Sequence, residues 1–444
     1  MDKVLVNIFE TLDQEGILYC LRHGSAELAT PDRYQEIDLL VPPHHLHHLA
    51  KILYENGFAT LPHWGHEPHH FFVTYNKENA AWLKLDVVTD LRHLMPARSL
   101  RIGLAEPCLY YRCPQEPAYV PSPDDEFIIV LLRYLINKGD FDSPEVVRLA
   151  ELWREFNLHP PTGKRAAALV ARYLAPAITW ETLGRAIEAE DWQLLIKRRS
   201  AVIRQLFWRD PLMTIGRELY ARALRRLRPF LVAASHRGMT VALLAPDGAG
   251  KTTLAKELAR EPFIRARPIY LGLNSDIKNV RLPTTRWLKR LLESANGKRG
   301  PAPVLLKKLH AGSRLAEQWS RYAVAFYHRL RGRFVVFDRH PYEESLNGHA
   351  LTLRRRLRRW LLASWCPTPD LVVVLDAPGE VLYQRKGEHN PEWLESQRLG
   401  LLGLRDQVPH TVVVDATRGI SQVRNEVIAL IWDRYRTRER KGTE

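Results

Sequence analysis

"VALLAPDGAGKTTLAKEL", residues 241–258, runs from an apolar stretch through a glycine-rich turn into a segment of mixed apolar and charged residues. Set against the pattern Gly-x-x-x-x-Gly-Lys-Ser/Thr, only the first glycine departs, replaced by Ala245; Gly250, Lys251 and Thr252 stand in place. A strand ending at Ala245 and a helix starting near Gly250 would aim backbone N–H groups and the positive end of a helix at one point. That arrangement is a cradle for phosphate. Lys251 can reach the terminal phosphates of a nucleoside triphosphate, and the Thr252 hydroxyl can hold Mg2+. Gly248 and Gly250 let the backbone approach closely.

Outward from this loop, strands and helices alternate. "MTVALLA" (239–245), "PIYLGL" (268–273), "RFVVFD" (333–338), "DLVVVLD" (370–376) and "HTVVVDA" (410–416) read as strands. Near-continuous Val/Leu runs suit strands buried on both faces, hence a parallel sheet covered by helices in a three-layer α/β fold. Upstream, from 124 to about 235, the strand signal vanishes. "DDEFIIVLLRYLINKG" stops at Gly139, and "SPEVVRLAELWREF" opens with Ser143 as N-cap and Pro144 at the first helical position. Further helices are expected at roughly 163–174, 180–188, 191–208 and 210–228. The front holds a helix near 2–15, strands at 17–21, 36–41, 70–75 and 81–91, and a helix near 44–56. These make a small α/β or α+β unit ending at a proline-marked stretch, 116–125. The expected organisation is therefore 1–122, an all-helical middle section 123–235, and 236–444.

"PDGAGKTT" (246–253) resembles the phosphate loop of thymidylate kinases. "VVFDRHPYEESLNGH" (335–349) is similar to that family's strand ending in Asp-Arg-Tyr, and "PDLVVVLDAPGEVLYQRKGEHNPEWLESQRL" (369–399) to its strand, helix and arginine-bearing lid. The resemblance covers roughly 236–444. It implies ATP with Mg2+ bound at Asp247, Gly248, Ala249, Gly250, Lys251, Thr252 and Thr253. Catalytic roles would fall to Lys251, Asp338, Arg339 and Arg385. Asp338 would organise Mg2+, with Thr252, or orient the acceptor, and Arg339 would clamp the acceptor's phosphate. Arg385, Lys386 and Arg398 would close on the γ-phosphate. The bland alternative for each charged side chain is a surface salt bridge. Two departures concern the acceptor. The family's arginine-containing motif after the second strand is replaced by "YLGLNSDIKN" (270–279), which has no arginine, and the Tyr of Asp-Arg-Tyr is His340. Another nucleotide, a sugar or a glycolipid is expected in place of thymidine monophosphate.

In the front segment, Gly24-Ser25 follows a strand, Glu36 and Asp38 alternate on the next, and Asp86 lies on a later one. Residues two apart on a strand share a face, so Glu36 and Asp38 converge. A third carboxylate completes a site for one or two Mg2+ ions. This pattern resembles the nucleotidyltransferase fold of polymerase-β-like enzymes over about 15–122, with Glu36 replacing the first Asp and His23 preceding the Gly-Ser pair. The rival is a domain retained for binding or packing. Histidines gather at 44, 45, 47, 48, 63, 66, 69 and 70, and His44 and His48 have the spacing of a helical Zn2+ pair. Surface or helix-start histidines are the plainer reading.

The 444-residue chain has 45% apolar and 26% charged residues, ordinary for a globular protein. Its four scattered cysteines form no CxxC pair. The opening "MDKVLVNIFETLDQEG" is acidic and unlike a signal peptide, which makes a cytoplasmic location the expectation. Residues 1–122 hold 10 Lys/Arg against 15 Asp/Glu, so with a net +15 for the chain the remainder carries about +20. The basic clusters there, at 222–228, 278–333 and 353–360, suit solvated helix faces, a phosphate-rich substrate or an anionic membrane surface. Nucleic acid is not expected, because no binding motif accompanies the charge. The expected function is an ATP-dependent phosphotransferase. Two-part chains of this kind resemble proteins of bacterial surface polysaccharide production. The alternatives are a nucleotidyltransferase whose phosphate loop only senses nucleotide, and a non-catalytic, nucleotide-switched binding protein. The partners expected are a nucleoside triphosphate, an unidentified phosphate acceptor and a second copy of the chain.

Overall fold

The computed structural model describes residues 3–22, 34–61, 68–93, 99–141, 146–159, 162–235, 237–271, 282–294, 301–342 and 368–441. Gly24, Ser25, His63, His66, Ser143, Pro144, residues 272–279 and the basic run 353–360 lie outside these. The chain divides into two units, Met1–Arg228 and Pro229–Glu444.

The first unit carries strands β1 (Cys20–Leu21), β2 (Tyr34–Leu40), β3 (Ala59–Thr60), β4 (His69–Asn76) and β5 (Ala81–Val88) in one sheet, ordered β1–β2–β5–β4–β3. β2 and β5 run parallel, and the other neighbours are antiparallel. Period-2 alternation sorts the two faces. Ile37, Leu39, Leu83, Leu85 and Val87 are buried with residues of helices Lys3–Gln14 and Leu46–Glu55. Glu36, Asp38, Lys84 and Asp86 therefore share the opposite face. The expected strand at 17–21 shrinks to two residues for a visible reason. The Leu18 N–H donates to His45 Nδ1 at 2.9 Å instead of to a neighbouring strand. Two short ribbons that the sequence did not announce follow, β6 (Arg92–His93) with β7 (Leu100–Arg101), and β8 (Cys113–Gln115) with β9 (Ala118–Val120).

The middle section is helical among its described residues, apart from loops. Helix Pro123–Leu132 starts at Ser122, whose Oγ accepts from the Asp125 N–H at 3.3 Å, and continues as a wider turn to Lys138. Gly139, at φ 77°, ends it, a backbone state that favours glycine. Helices Val146–Leu158, Lys164–Tyr173 and Trp180–Glu188 follow. The single helix expected over 191–208 is two, Trp192–Ile196 and Arg199–Arg209, and the next one, Pro211–Ala234, outruns its expected end at 228. Phe127, Trp153, Phe156 and Trp180 form an aromatic knot, with Trp153 and Trp180 centroids 4.7 Å apart. Cys20, Leu40 and Leu91 share this core, so the helical section and the front sheet are packed together.

The second unit is built on β10 (Met239–Leu244), β11 (Arg267–Tyr270), β12 (Phe334–Asp338), β13 (Leu371–Asp376) and β14 (Thr411–Asp415). Their order is β11–β12–β10–β13–β14 and every pairing is parallel. All six residues of β10 are buried, as a strand covered on both faces requires. Ala242, Leu244, Val335, Phe337, Val372 and Val374 pack with Ala325 of helix Pro301–Leu330 and Leu401 of helix Pro391–Leu402. Helices Lys251–Arg260 and Ile420–Lys441 contact each other and the strands. The α/β reading with a parallel sheet holds. Parallel pairing also brings the strand ends together, with Asp338 beside Leu243 on one side and Tyr270 on the other.

Candidate functional site

A cleft of about 690 Å³ opens at these carboxyl ends, lined by residues 246–253 of the loop and by Tyr270, Asp338, Arg339, Arg385, Lys386, Glu388 and His389. The loop's shape depends on its glycines. Gly248 and Gly250 have φ of 93° and 85°, in the left-handed region. A Cβ on Gly248 would sit 2.7 Å from the Leu382 carbonyl oxygen of the adjoining helix Gly379–Lys386, so no side chain fits there. Ala245, in place of the pattern's first glycine, is buried at the strand end.

Lys251 is the first residue of helix Lys251–Arg260 and is buried. Its Nζ donates back to the carbonyls of Ala245 and, at 3.3 Å, Pro246, which holds the ammonium against the loop. Thr252 Oγ1 donates to Asp338 Oδ2 at 2.9 Å. A strand end and a helix start thus place a hydroxyl and a carboxylate side by side at the loop's mouth. Asp247 accepts from Arg339 at 2.5 Å, with His389 Nε2 3.9 Å away on its other oxygen. Arg339 holds φ at 74°, which costs a non-glycine residue about 1–2 kcal/mol and turns its guanidinium to Asp247. His340, the next residue, is buried against Phe337 and Tyr342, and burial pushes its pKa down to about 3. It is a neutral ring accepting from the Tyr342 N–H at Nδ1, 3.4 Å.

The arginines expected to act together are divided. Arg385 lines the cleft, but its guanidinium donates to the carbonyls of Ala416 at 2.8 Å and Thr417 at 3.2 Å. Lys386 is paired with Glu388 at 2.8 Å. Arg398 does not line the cleft. It donates to both oxygens of Asp376, at 2.5 and 3.1 Å, and to Glu395 at 2.6 Å, an engagement that raises its pKa. Glu395 in turn accepts from the Gly379 N–H at 2.8 Å, so Arg398 locks the two helices after β13 to the end of that strand. Sequence reasoning missed Tyr270, Glu388 and His389 as lining residues. The readable signal was Asn390-Pro391, an N-cap whose Oδ1 accepts from the Trp393 N–H at 3.0 Å, which fixes 387–389 as the turn between two helices.

This chain is similar to two archaeal proteins. A probable thymidylate kinase of Methanosarcina barkeri is 26% identical over 219 residues, 44% of this chain and 96% of that protein. A probable thymidylate kinase of Archaeoglobus fulgidus is 26% identical over 200 residues, 44% of this chain and 94% of that protein. No protein-family model matches the chain. The chain contains a thymidylate-kinase-like core.

The first unit holds a second cluster. Carboxylate oxygens of Glu36, Asp38 and Asp86 lie within 4.8 Å of one another, so the three expected residues do meet. Register explains it, because Asp38 and Asp86 are direct partners across parallel β2 and β5. Each carboxylate also meets a basic side chain. Lys84 Nζ, buried under the Phe71 ring, donates to Glu36. Arg22 Nη1 lies 3.6 Å from Asp38, and His69 Nδ1 lies 2.8 Å from Asp86. Tyr34 donates to Glu36, and burial and that carboxylate raise the phenol's pKa. Among the described residues this is the group close enough to hold a metal ion. The spacing argument for His44 and His48 fails: His44 belongs to the turn Pro43–His45 ahead of the helix, and His48 faces Glu15 at 3.3 Å.

Proposed function

We propose that the second unit is an ATP-dependent phosphotransferase, with the nucleotide phosphates on Gly248–Thr253 and the acceptor between Asp247, Asp338 and Arg339. The observation that carries this reading is the 2.9 Å contact between Thr252 and Asp338 at the mouth of a glycine loop. Phosphoryl transfer asks the protein mainly for positioning and charge neutralisation. A hydroxyl and a carboxylate oxygen suit a hard divalent cation, and Mg2+ bound there would neutralise charge on the phosphate oxygens. The loop N–H groups hold the phosphates, and Lys251 offsets charge on the terminal one. Arg339, fixed by Asp247, meets the acceptor, and neutral His340 braces the turn behind it. In this reading residues 236–444 are the kinase, 123–235 a helical section and 1–122 a nucleotidyltransferase-like unit. The acceptor is a nucleotide, sugar or glycolipid, and surface polysaccharide metabolism is the proposed setting.

The test is transfer of label from γ-labelled ATP. Nucleoside monophosphates, then saccharide and lipid extracts, serve as acceptors for the wild type and Thr252→Val. Label entering one acceptor class, and falling about 10–100-fold in Thr252→Val, supports the reading and names the class. No Thr252-dependent label in any of them contradicts it.

The meeting of Glu36, Asp38 and Asp86 favours a second reading, nucleotidyl transfer in the first unit. Three carboxylates suit a hard cation, although Lys84, Arg22 and His69 already compete for their oxygens. Incorporation from α-labelled nucleotide that vanishes in Asp38→Asn and persists in Lys251→Ala would support it. Equal incorporation in both variants would contradict it.

A further inference from the structure

Helix Pro211–Ala234 turns its apolar side to solvent. Within the first unit Leu212 is 82% exposed, and Met213, Leu219, Tyr220 and Leu227 are each more than half exposed. Spacings of seven and eight residues keep Leu212, Leu219 and Leu227 on one side of a helix of 3.6 residues per turn. Thr214 and Ala221, on the opposite side, are buried. This inverts the usual amphipathic helix, whose apolar stripe faces a core. The charge is as uneven. The helix carries five arginines, at 217, 222, 225, 226 and 228, against one acid, Glu218. Arg217 is engaged inward by Asp210 at 3.0 Å and the Ser99 carbonyl at 3.1 Å, whereas Arg226 and Arg222 are exposed, Arg222 in a surface pair with Glu218.

We infer that this helix lies flat in the headgroup region of an anionic lipid surface. An exposed apolar stripe flanked by Arg222 and Arg226 is what such a surface accepts, with leucines below the headgroups and guanidinium groups on lipid phosphates. Charge complementarity selects lipid over a second copy of the chain. Two such helices side by side would bring their arginines together with one glutamate each to offset them. The stripe equally disfavours nucleic acid, which offers no apolar layer. The helix lies on the surface and does not span it, since no described helix is long and apolar enough to cross a membrane. The inference stands independently of phosphotransfer, because binding is read without nucleotide.

The experiment is co-sedimentation of the full chain with vesicles of phosphatidylcholine alone or mixed with phosphatidylglycerol. The wild type should sediment with the mixed vesicles only, and less as salt rises. The double variant Arg222→Gln, Arg226→Gln should bind about 25-fold more weakly, about fivefold per arginine. Leu212→Gln, Leu219→Gln, Leu227→Gln should abolish binding while far-UV circular dichroism stays unchanged, because these side chains are exposed. Absence of wild-type binding overturns the inference, as does equal binding to neutral vesicles. Light scattering supplies the third contrary result: if the leucine variant splits an oligomer and leaves vesicle binding intact, the stripe belongs to a second copy.

Discussion

Each unit carries a candidate carboxylate site, the single Asp338 in the second and Glu36, Asp38 and Asp86 in the first, and the two are built on opposite electrostatics. In the second unit Asp338 meets a neutral hydroxyl, Thr252, at the edge of an open cleft. The cations around it answer to other groups, Lys251 and Arg385 to backbone carbonyls and Arg339 to Asp247. In the first unit Glu36 and Asp38 are matched by the cations Lys84 and Arg22, and Asp86 is hydrogen-bonded to His69. A carboxylate that could meet a cation is therefore common to both. What differs is whether the protein itself supplies the counter-charge, and that difference leads us to place the chemistry in the second unit.

The largest effect expected from this contrast is on transfer itself. Asp338→Asn should lower phosphoryl transfer about 10²–10³-fold, while Asp38→Asn leaves it within about twofold. Steady-state label transfer checks both.

The pH dependence should differ from that of the carboxylates. His340 and His93 are buried as neutral rings, each with its pKa pushed down to about 3 by burial. A histidine whose folded pKa lies below its ordinary value of about 6.5 contributes stability that is fully present above that value. The contribution is lost as pH falls from about 6.5 toward 3, at about 1.4 kcal/mol per pH unit per ring. Urea midpoints at about pH 7 and pH 5 should show each unit losing about 2 kcal/mol from this source. His340→Gln should remove the loss from the second unit only; an undiminished loss would show that His340 is not buried neutral.

Lys84→Met tests the internal counter-charge. It should destabilise the first unit by about 1 kcal/mol, a modest loss because Glu36 is partly exposed and water screens the pair. Adding Glu36→Gln should recover most of it, read as the urea midpoint. Smallest of all is Arg398→Lys. Its guanidinium is held by Asp376 and Glu395 outside the cleft, so transfer should change by less than about threefold. A larger fall would restore Arg398 to the cleft.

The sequence was most legible where structure is local or periodic. The glycine loop, the five parallel strands around it and the Gly139 stop each follow from a few neighbouring residues. The α/β class followed from the Val/Leu runs alone. Convergence of Glu36, Asp38 and Asp86 was legible too, because period 2 puts the first two on one face. Lys84, two before Asp86, sits on that same face by the same rule and was passed over. What stayed hidden depends on pairings distant in sequence. Arg398 reads as a lid residue until Asp376, 22 positions earlier at the end of β13, is seen to hold it. The short β1 depends on His45, 27 positions later, intercepting the Leu18 N–H.

The central claim is that phosphate chemistry belongs to the second unit. The most direct test is γ-labelled ATP given to wild type, Lys251→Ala and Asp86→Asn side by side with the same acceptor mixture. The account predicts transfer by wild type and Asp86→Asn alike, and a loss of about 10²–10³-fold in Lys251→Ala. Transfer that survives in Lys251→Ala and disappears in Asp86→Asn would contradict it and move the active site to the first unit.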